Sequence, residues 1–349
     1  MNARMPPASL SQAPIGLSRR RTLAALGGAA LVSHLPAFLP RATAQGLTKI
    51  SYQTGWLAQA EHGGLYHAQA TGIYKEHGLD VEIRPGGPQV NVMQLFMAGT
   101  CDFADADSFR TFAFAQDKLP AVAIAAFFQK DPRVLMSHPG TGNDTLAALK
   151  GKPILVATTG RQTYWLWLKA KFGLTEDQLR PYAFSLAPWL VDRQATVQGY
   201  LTSEPFNARK SGVEPVIHLL ADQGFDNYAN VTIAVPKMVK EQPELVQRFV
   251  TATAKGWAGY LNGDASAANA MIQKSNPQMG ADTIAYAIGA MKQYGLVETA
   301  DTRVKGIGTM SEARWKSFYD AMVAAGAQKP GVDIQTAYTL QFVAGKKNA

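Results

Sequence analysis

Between Lys49 and Val235 the chain alternates short apolar runs with helical stretches, and few folds accommodate that rhythm. Strands are predicted over 49–53, 79–83, 102–106, 121–128, 134–137, 153–157, 196–200, 216–220 and 231–235. Helices are predicted over 64–77, 90–98, 108–116, 146–149 and 160–172, with another near Leu190. This is the pattern of an α/β fold with mainly parallel sheets, because parallel neighbours need a crossover, usually a helix. From Pro236 the character changes to almost wholly helical, over 244–261, 265–273, 281–294 and 311–325. Two strand-flanking stretches of polar residues, Phe127–Arg133 and Tyr228–Thr232, read as crossings between lobes. The expected division is 45–132 plus 231–349 as one lobe and 133–230 as the other.

Ahead of this pattern stands a leader. Arg19-Arg20-Arg21 precedes an apolar, small-residue run from Leu23 to Leu39, and Ala42-Thr43-Ala44 has the small-x-small form of a signal-peptidase site. Cleavage is expected after Ala44, and the paired arginines are similar to a twin-arginine export signal. Gly27, Gly28, Ser33, His34 and Pro36 make the run a poor membrane span.

The leader also carries five of the 34 basic residues and none of the 26 acidic ones. Without it, 29 basic residues face 26 acidic ones, a net charge of +3. So small a balance, with no basic cluster, excludes nucleic acid as the expected partner. The single Cys101 excludes an intramolecular disulfide and a multi-thiolate metal site. Flanked by Ala98-Gly99-Thr100 and Asp102-Phe103, it is expected to pack at a helix-to-strand junction. P-loop, GxSxG and HExxH signatures do not occur.

The densest chemistry lies between Trp56 and Pro88. Trp56, Glu61, His62, Gly63, Gly64, Leu65 and Tyr66 follow the first predicted strand, and Pro85-Gly86-Gly87-Pro88 follows the second, just before Asn91 opens a helix. Ligands of open α/β sheets bind where strands end and helices begin, so both turns are expected to open onto one crevice.

Trp56 with Glu61-His62-x-Gly64-Leu65-Tyr66, then Gly72-Ile73-Tyr74-Lys75-Glu76-His77-Gly78-Leu79-Asp80-Val81, Ala98-Gly99 and Asp102-Phe103, resembles a known family. It comprises substrate-binding proteins of ABC importers for thiamine pyrimidine precursors, riboflavin, alkanesulfonates and nitrate. Leu149-Lys150-Gly151-Lys152, the Gly199-Tyr200 to Glu204-Pro205 segment and the helical tail extend the likeness over nearly the whole chain after residue 44. The resemblance implies a two-lobed periplasmic binding protein of the type II kind, with a hinge that crosses twice and a helical C-terminal segment. It further implies a monomeric periplasmic receptor that catalyses no reaction, needs no cofactor or metal, and delivers a small-molecule ligand to an ABC permease and its ATPase. Trp56 and His62 match the pyrimidine-precursor binders best, whereas Glu61 stands where those binders carry Asn; a carboxylate there favours a donor-rich or cationic ligand group. Three alternatives remain open: a sulfonate, nitrate or aromatic-acid receptor, a receptor serving a sensor, and an enzyme similar to the pyrimidine-precursor synthases of the same fold, which consume an active-site histidine with iron.

The candidate ligand residues each have a plainer reading. Trp56 either stacks on a planar ligand or fills space between helix and sheet. Glu61 and Glu204 are expected on opposite lobes, meeting on closure, or are surface ion pairs. His62 lines the pocket or caps a helix. His62 and His67 are five apart, not the i, i+4 spacing of a helical metal pair. Gly86 and Gly87 allow close backbone approach, or form a turn that needs positive φ. Asn91 points inward or begins its helix, and Asp105, Asp107 and Ser108 are ligands or caps. Thr158-Thr159-Gly160, with Arg161, is the candidate anion site at a helix start. On the next helix Tyr164 or Trp165 reaches the cleft, while Trp189 faces ligand or solvent. Tyr66, Gln129 and Tyr200 complete the set.

Exported protein should lack residues 1–44, which intact-mass measurement of periplasmic material checks. An intact N-terminus on a membrane-bound species would reject cleavage. Loss of export after Arg19→Lys with Arg20→Lys would identify the twin-arginine route.

Overall fold

Two mixed sheets carry the described part of the chain, residues 46–343 of a computed structural model. The expected leader lies outside those residues. Ten strands are β1 (Thr48–Gln53), β2 (Leu79–Arg84), β3 (Phe103–Ala106), β4 (Val122–Phe128), β5 (Arg133–Ser137), β6 (Ile154–Val156), β7 (Leu179–Pro181), β8 (Thr196–Tyr200), β9 (Val216–Leu219) and β10 (Ala229–Ala234). The first sheet runs β2-β1-β3-β10-β4 and the second β7-β6-β8-β5-β9. In each sheet three neighbouring strands are parallel. The fourth strand, β10 or β5, pairs antiparallel with both of its neighbours. These two reversed strands are the ones entered directly from the other sheet, β5 after β4 and β10 after β9.

Nine of the ten strands fall where apolar patterning predicts them. The exception is β7, three residues ending in Pro181, too short and too exposed for a periodic signal. The predicted 64–77 helix is two helices, Gly63–Ala70 and Ile73–Glu76, because Gly72 between them takes a left-handed φ of 83°. Cys101 is buried at the expected junction before β3.

The helical tail builds the core of the first sheet. In the helix Pro243–Asn262, Phe249 lies face to face with Tyr52, Tyr74 and Phe103, with ring centroids 5.8, 5.7 and 4.3 Å away. Trp257 meets Phe128 edge-on at 5.5 Å. This helix crosses Gly63–Ala70 at backbone distance. A Cβ on Gly256 would sit 2.2 Å from the Gly64 carbonyl, and one on Gly64 would enter the Trp257 indole. The glycines therefore let the turn that bears Glu61 and His62 settle onto the tail.

A buried polar network fastens the two crossings. Asp131 is fully buried and accepts hydrogen bonds from the Arg133 backbone N–H (2.9 Å), from the Arg133 guanidinium and from Asn227 Nδ2 (2.6 Å). Asn227 Oδ1 in turn accepts from Ser108 Oγ at 2.6 Å, and Arg133 reaches Asp107 at 3.2 Å. Gln129 donates through Nε2 to the Ala126 and Thr309 carbonyls, and Arg314 donates to the carbonyls of Gln129 and Asn227.

Removing one partner of a buried ion pair costs about 3–5 kcal/mol, since the other charge is left uncompensated. Asp131→Ala should lower unfolding free energy by about that amount in urea titrations. A loss below about 1 kcal/mol would mean that water takes the place of the carboxylate.

Candidate functional site

The site draws on the turns after β1, β7 and β8, on Asp105 near the end of β3 and on Asn230 in β10. After β1, Thr54 Oγ1 donates to the Trp56 carbonyl at 2.7 Å. The turn after β2 locks onto it, with Gly86 N–H donating to the same carbonyl at 2.9 Å. A Cβ on Gly86 would lie 2.5 Å from the Thr54 carbonyl oxygen. Gly86 allows a close approach, but to the neighbouring turn, whereas a Cβ on Gly87 would make only an ordinary 3.4 Å contact with Leu57; neither has a positive φ.

Trp56 and Phe184 come from opposite lobes and meet with ring centroids 4.9 Å apart, tilted by 46°. Phe184 holds a left-handed φ of 60°, is half exposed, and also touches Tyr182. Behind this pair, the single turn Ala60–His62 is buried. Glu61 Oε1 accepts a hydrogen bond from Thr202 Oγ1 of the second lobe, and the Glu61 carbonyl accepts from Asn230 Nδ2 at 2.6 Å. Asn230 occupies a left-handed φ of 46°, a conformation that asparagine tolerates better than most residues.

Glu61, His62, Asp105 and Asn230 line a small cavity whose remaining walls are Tyr52, Leu65, Phe127 and Trp257. Burial pushes the Glu61 carboxyl above its usual range, and the Glu204 charge adds to the shift. The Asp105 carboxyl rises to about 7, by burial and by the charge of Asp107, against the opposing pull of Arg110. Burial lowers His62 to about 4 and keeps its ring neutral. Glu61 Oε2, Asp105 Oδ1 and His62 Nδ1 are buried without hydrogen-bond partners.

On the second lobe Gln198 Oε1 accepts from Tyr164 Oη (2.7 Å) and from the Ala157 N–H (2.6 Å). The Arg133 guanidinium lies 5.9 Å from the Tyr200 ring centre. Glu204 Oε2 accepts from the Tyr200 N–H at 2.6 Å and Ser203 Oγ at 2.5 Å. Glu204 is thereby folded onto its own lobe, yet close enough for its charge to raise Glu61.

Of the residues selected from sequence, Glu61, His62 and Asp105 share one small cavity, Trp56 meets Phe184, and Glu204 holds the Tyr200 backbone while its charge reaches Glu61. The structure gives other sequence-selected residues different work. Asp107 caps the helix Ser108–Gln116 through Arg110 N–H, and with Ser108 and Gln129 its side chain is spent on the crossings. Asn91 is exposed and caps its helix through Gln94 N–H. Trp165 is fully buried and donates to Glu176, while Trp189 is fully buried and stacks on His138 at 4.2 Å, facing neither cleft nor solvent. Tyr66 is buried in the helix Gly63–Ala70. Thr159 is exposed, in a helix of only four residues, and Gly160 packs against Tyr164. Sequence reasoning left Asp105 between cap and ligand and did not select Thr202, Asn230 or Phe184. The position of Asp105 one residue from the end of β3 was the available signal. Nothing local marks Thr202 and Asn230, which lie 141 and 169 positions from Glu61.

A carboxyl raised from 3.8 to about 7 keeps its proton in the folded chain after the unfolded chain has lost it, so its contribution to stability falls as pH rises through that window. His62, lowered from 6.5 to about 4, contributes the opposite slope between those values. The difference between native protein and Asp105→Asn isolates the carboxyl. The variant should be the more stable at neutral pH, with its advantage growing from pH 3.8 to about 7 in urea midpoints. An advantage that does not vary with pH would show that Asp105 is ionised throughout.

Comparison with known proteins accords with this architecture. The riboflavin-binding protein RibY of Chloroflexus aurantiacus is 23% identical over 319 residues, covering 89% of this chain and 90% of its own. The 4-amino-5-hydroxymethyl-2-methylpyrimidine phosphate synthase of Legionella pneumophila is 20% identical over 246 residues, covering 66% of this chain and 75% of its own. Among solved structures, the periplasmic aliphatic sulphonate binding protein SsuA from Escherichia coli aligns with a TM-score of 0.61 at 14% identity, covering 83% of this chain and 91% of that one. The fold is that of the periplasmic binding proteins. A family model described as NMT1/THI5 like matches residues 59–267, and the chain belongs to that family.

Proposed function

We propose that the protein is a periplasmic receptor that captures a small planar nitrogen heterocycle between its lobes and delivers it to an ABC permease driven by a separate ATPase. The observation that carries this reading is the sign of the unspent hydrogen-bonding capacity in the cleft. Glu61 Oε2 and Asp105 Oδ1 are buried acceptors without donors, whereas the cleft guanidinium of Arg133 is spent on Asp131 and Asp107. A ligand that brings N–H groups meets these acceptors. A sulfonate or nitrate brings acceptors only and finds a donor here only where a carboxyl keeps its proton, which an N–H-bearing ligand does not require. Trp56 and Phe184 add an aromatic surface suited to a flat ring. RibY, a riboflavin-binding protein by name, offers a precedent within reach of this chain's sequence.

Recognition and closure are the whole of the proposed mechanism. The one thiol, Cys101, is buried with its pKa pushed up to about 11, which leaves no thiolate at neutral pH for covalent chemistry. Closure joins Glu61 to Thr202 and Trp56 to Phe184, so ligand occupancy is read as a change in lobe separation.

Ligand carried through gentle purification should be identified by native mass spectrometry as a nitrogen heterocycle; a co-purifying sulfonate or aromatic acid would overturn the reading. Stacking of a flat base on an aromatic ring contributes about 1–3 kcal/mol, so Trp56→Ala should weaken that ligand by about tenfold or more in calorimetric titration. Unchanged affinity would reduce Trp56 to packing.

A further inference from the structure

The cavity beside Glu61 offers about 10 Å³ to the centre of a water molecule, which is room for one group of that size. Its polar edge is set by Glu61, His62 and Asp105, and each contributes one buried atom without a partner: Glu61 Oε2, His62 Nδ1 and Asp105 Oδ1. Glu61 and His62 are only 4% and 5% exposed, so bulk water does not satisfy them. Asn230 also lines the cavity, but its Nδ2 donates to the Glu61 carbonyl. The rest of the lining is Tyr52, Leu65, Phe127 and Trp257.

We infer that this cavity is a subsite for a primary ammonium group, so that the heterocycle captured by the protein carries an aminomethyl or comparable –NH3+ substituent. The inference rests on the receptor reading above and adds the substituent to it. A primary ammonium is close to water in size, has three N–H donors and no acceptor. Three partnerless atoms face that need. The carboxyl oxygens of Glu61 and Asp105 accept directly, and a neutral His62 ring accepts through Nδ1 when its proton is on Nε2. Burial raises both carboxyls toward their protonated form, and a cation in the cavity that both line favours the charged form of each. A hydroxyl has one donor and leaves acceptors unmet. A quaternary ammonium has the charge without the donors and exceeds the volume.

Four probes sharing one ring test this with the purified protein: benzylamine, benzyl alcohol, benzyltrimethylammonium and phenylmethanesulfonate, each titrated by tryptophan fluorescence and thermal shift. Benzylamine should bind about tenfold to a hundredfold more tightly than benzyl alcohol, the worth of a buried charge-assisted hydrogen bond. It should also surpass benzyltrimethylammonium. In Glu61→Gln, which keeps the shape and the bond from Thr202, the preference for benzylamine over benzyl alcohol should vanish. Asp105→Asn serves as the second variant should the first not fold. Equal binding of benzylamine and benzyl alcohol, equal binding of the two cations, binding by none of the four probes, or a preference that survives in both folded variants overturns the subsite and leaves the receptor reading standing. Tightest binding by phenylmethanesulfonate overturns both.

Discussion

A carboxylate with no access to water must find every partner inside the protein, and Asp131 finds its partners on both crossings between the sheets. Arg133 lies on the outgoing crossing and Asn227, 96 positions later, on the returning one. Asp107 and Ser108, at the end of β3, extend the same network to the first sheet. The two strands that run against their neighbours, β5 and β10, therefore start from one fixed point. That shared origin sets which turns face one another: the one after β1 opposes those after β7 and β8, and the cleft lies between.

Once the turns oppose, close packing decides what they present. Gly64 and Gly256 allow the Ala60–His62 turn to sink against the helical tail, which buries Glu61 and His62 beside Trp257. The same burial that places them raises one and lowers the other, so both approach neutrality in the absence of a partner. Leaving buried acceptors unmet costs about 1–3 kcal/mol each, and a fold bears such a cost most readily where a ligand repays it. The stability cost and the proposed specificity thus have one origin in the desolvated floor of the cleft.

Much of the fold was legible because its signals are local. Alternating apolar runs predict nine strands, and the tail declares itself helical through long apolar periodicity such as that of Leu245, Phe249, Val250 and Trp257. The site was legible in part. Trp56, Glu61, His62 and Tyr164 stand out because strand-to-helix turns are where α/β sheets hold ligands. Ser108, Gln129 and Asn91 carry the same polar chemistry at similar places, yet their hydrogen bonds go to the crossings or to a helix end. Residue type and turn position do not separate these two fates; only the partners do.

By itself the sequence determined the α/β class and the helical character of the tail, since these follow from periodicity and from proline and glycine placement within a few neighbouring residues. The tertiary structure alone decided that Thr202 and Asn230 hold Glu61, that Phe184 meets Trp56, and that Asp105 joins His62 around one cavity. The reason is physical: burial, desolvation and hydrogen-bond satisfaction depend on atoms brought from distant parts of the chain, and a local pattern carries no record of what will arrive from the other lobe.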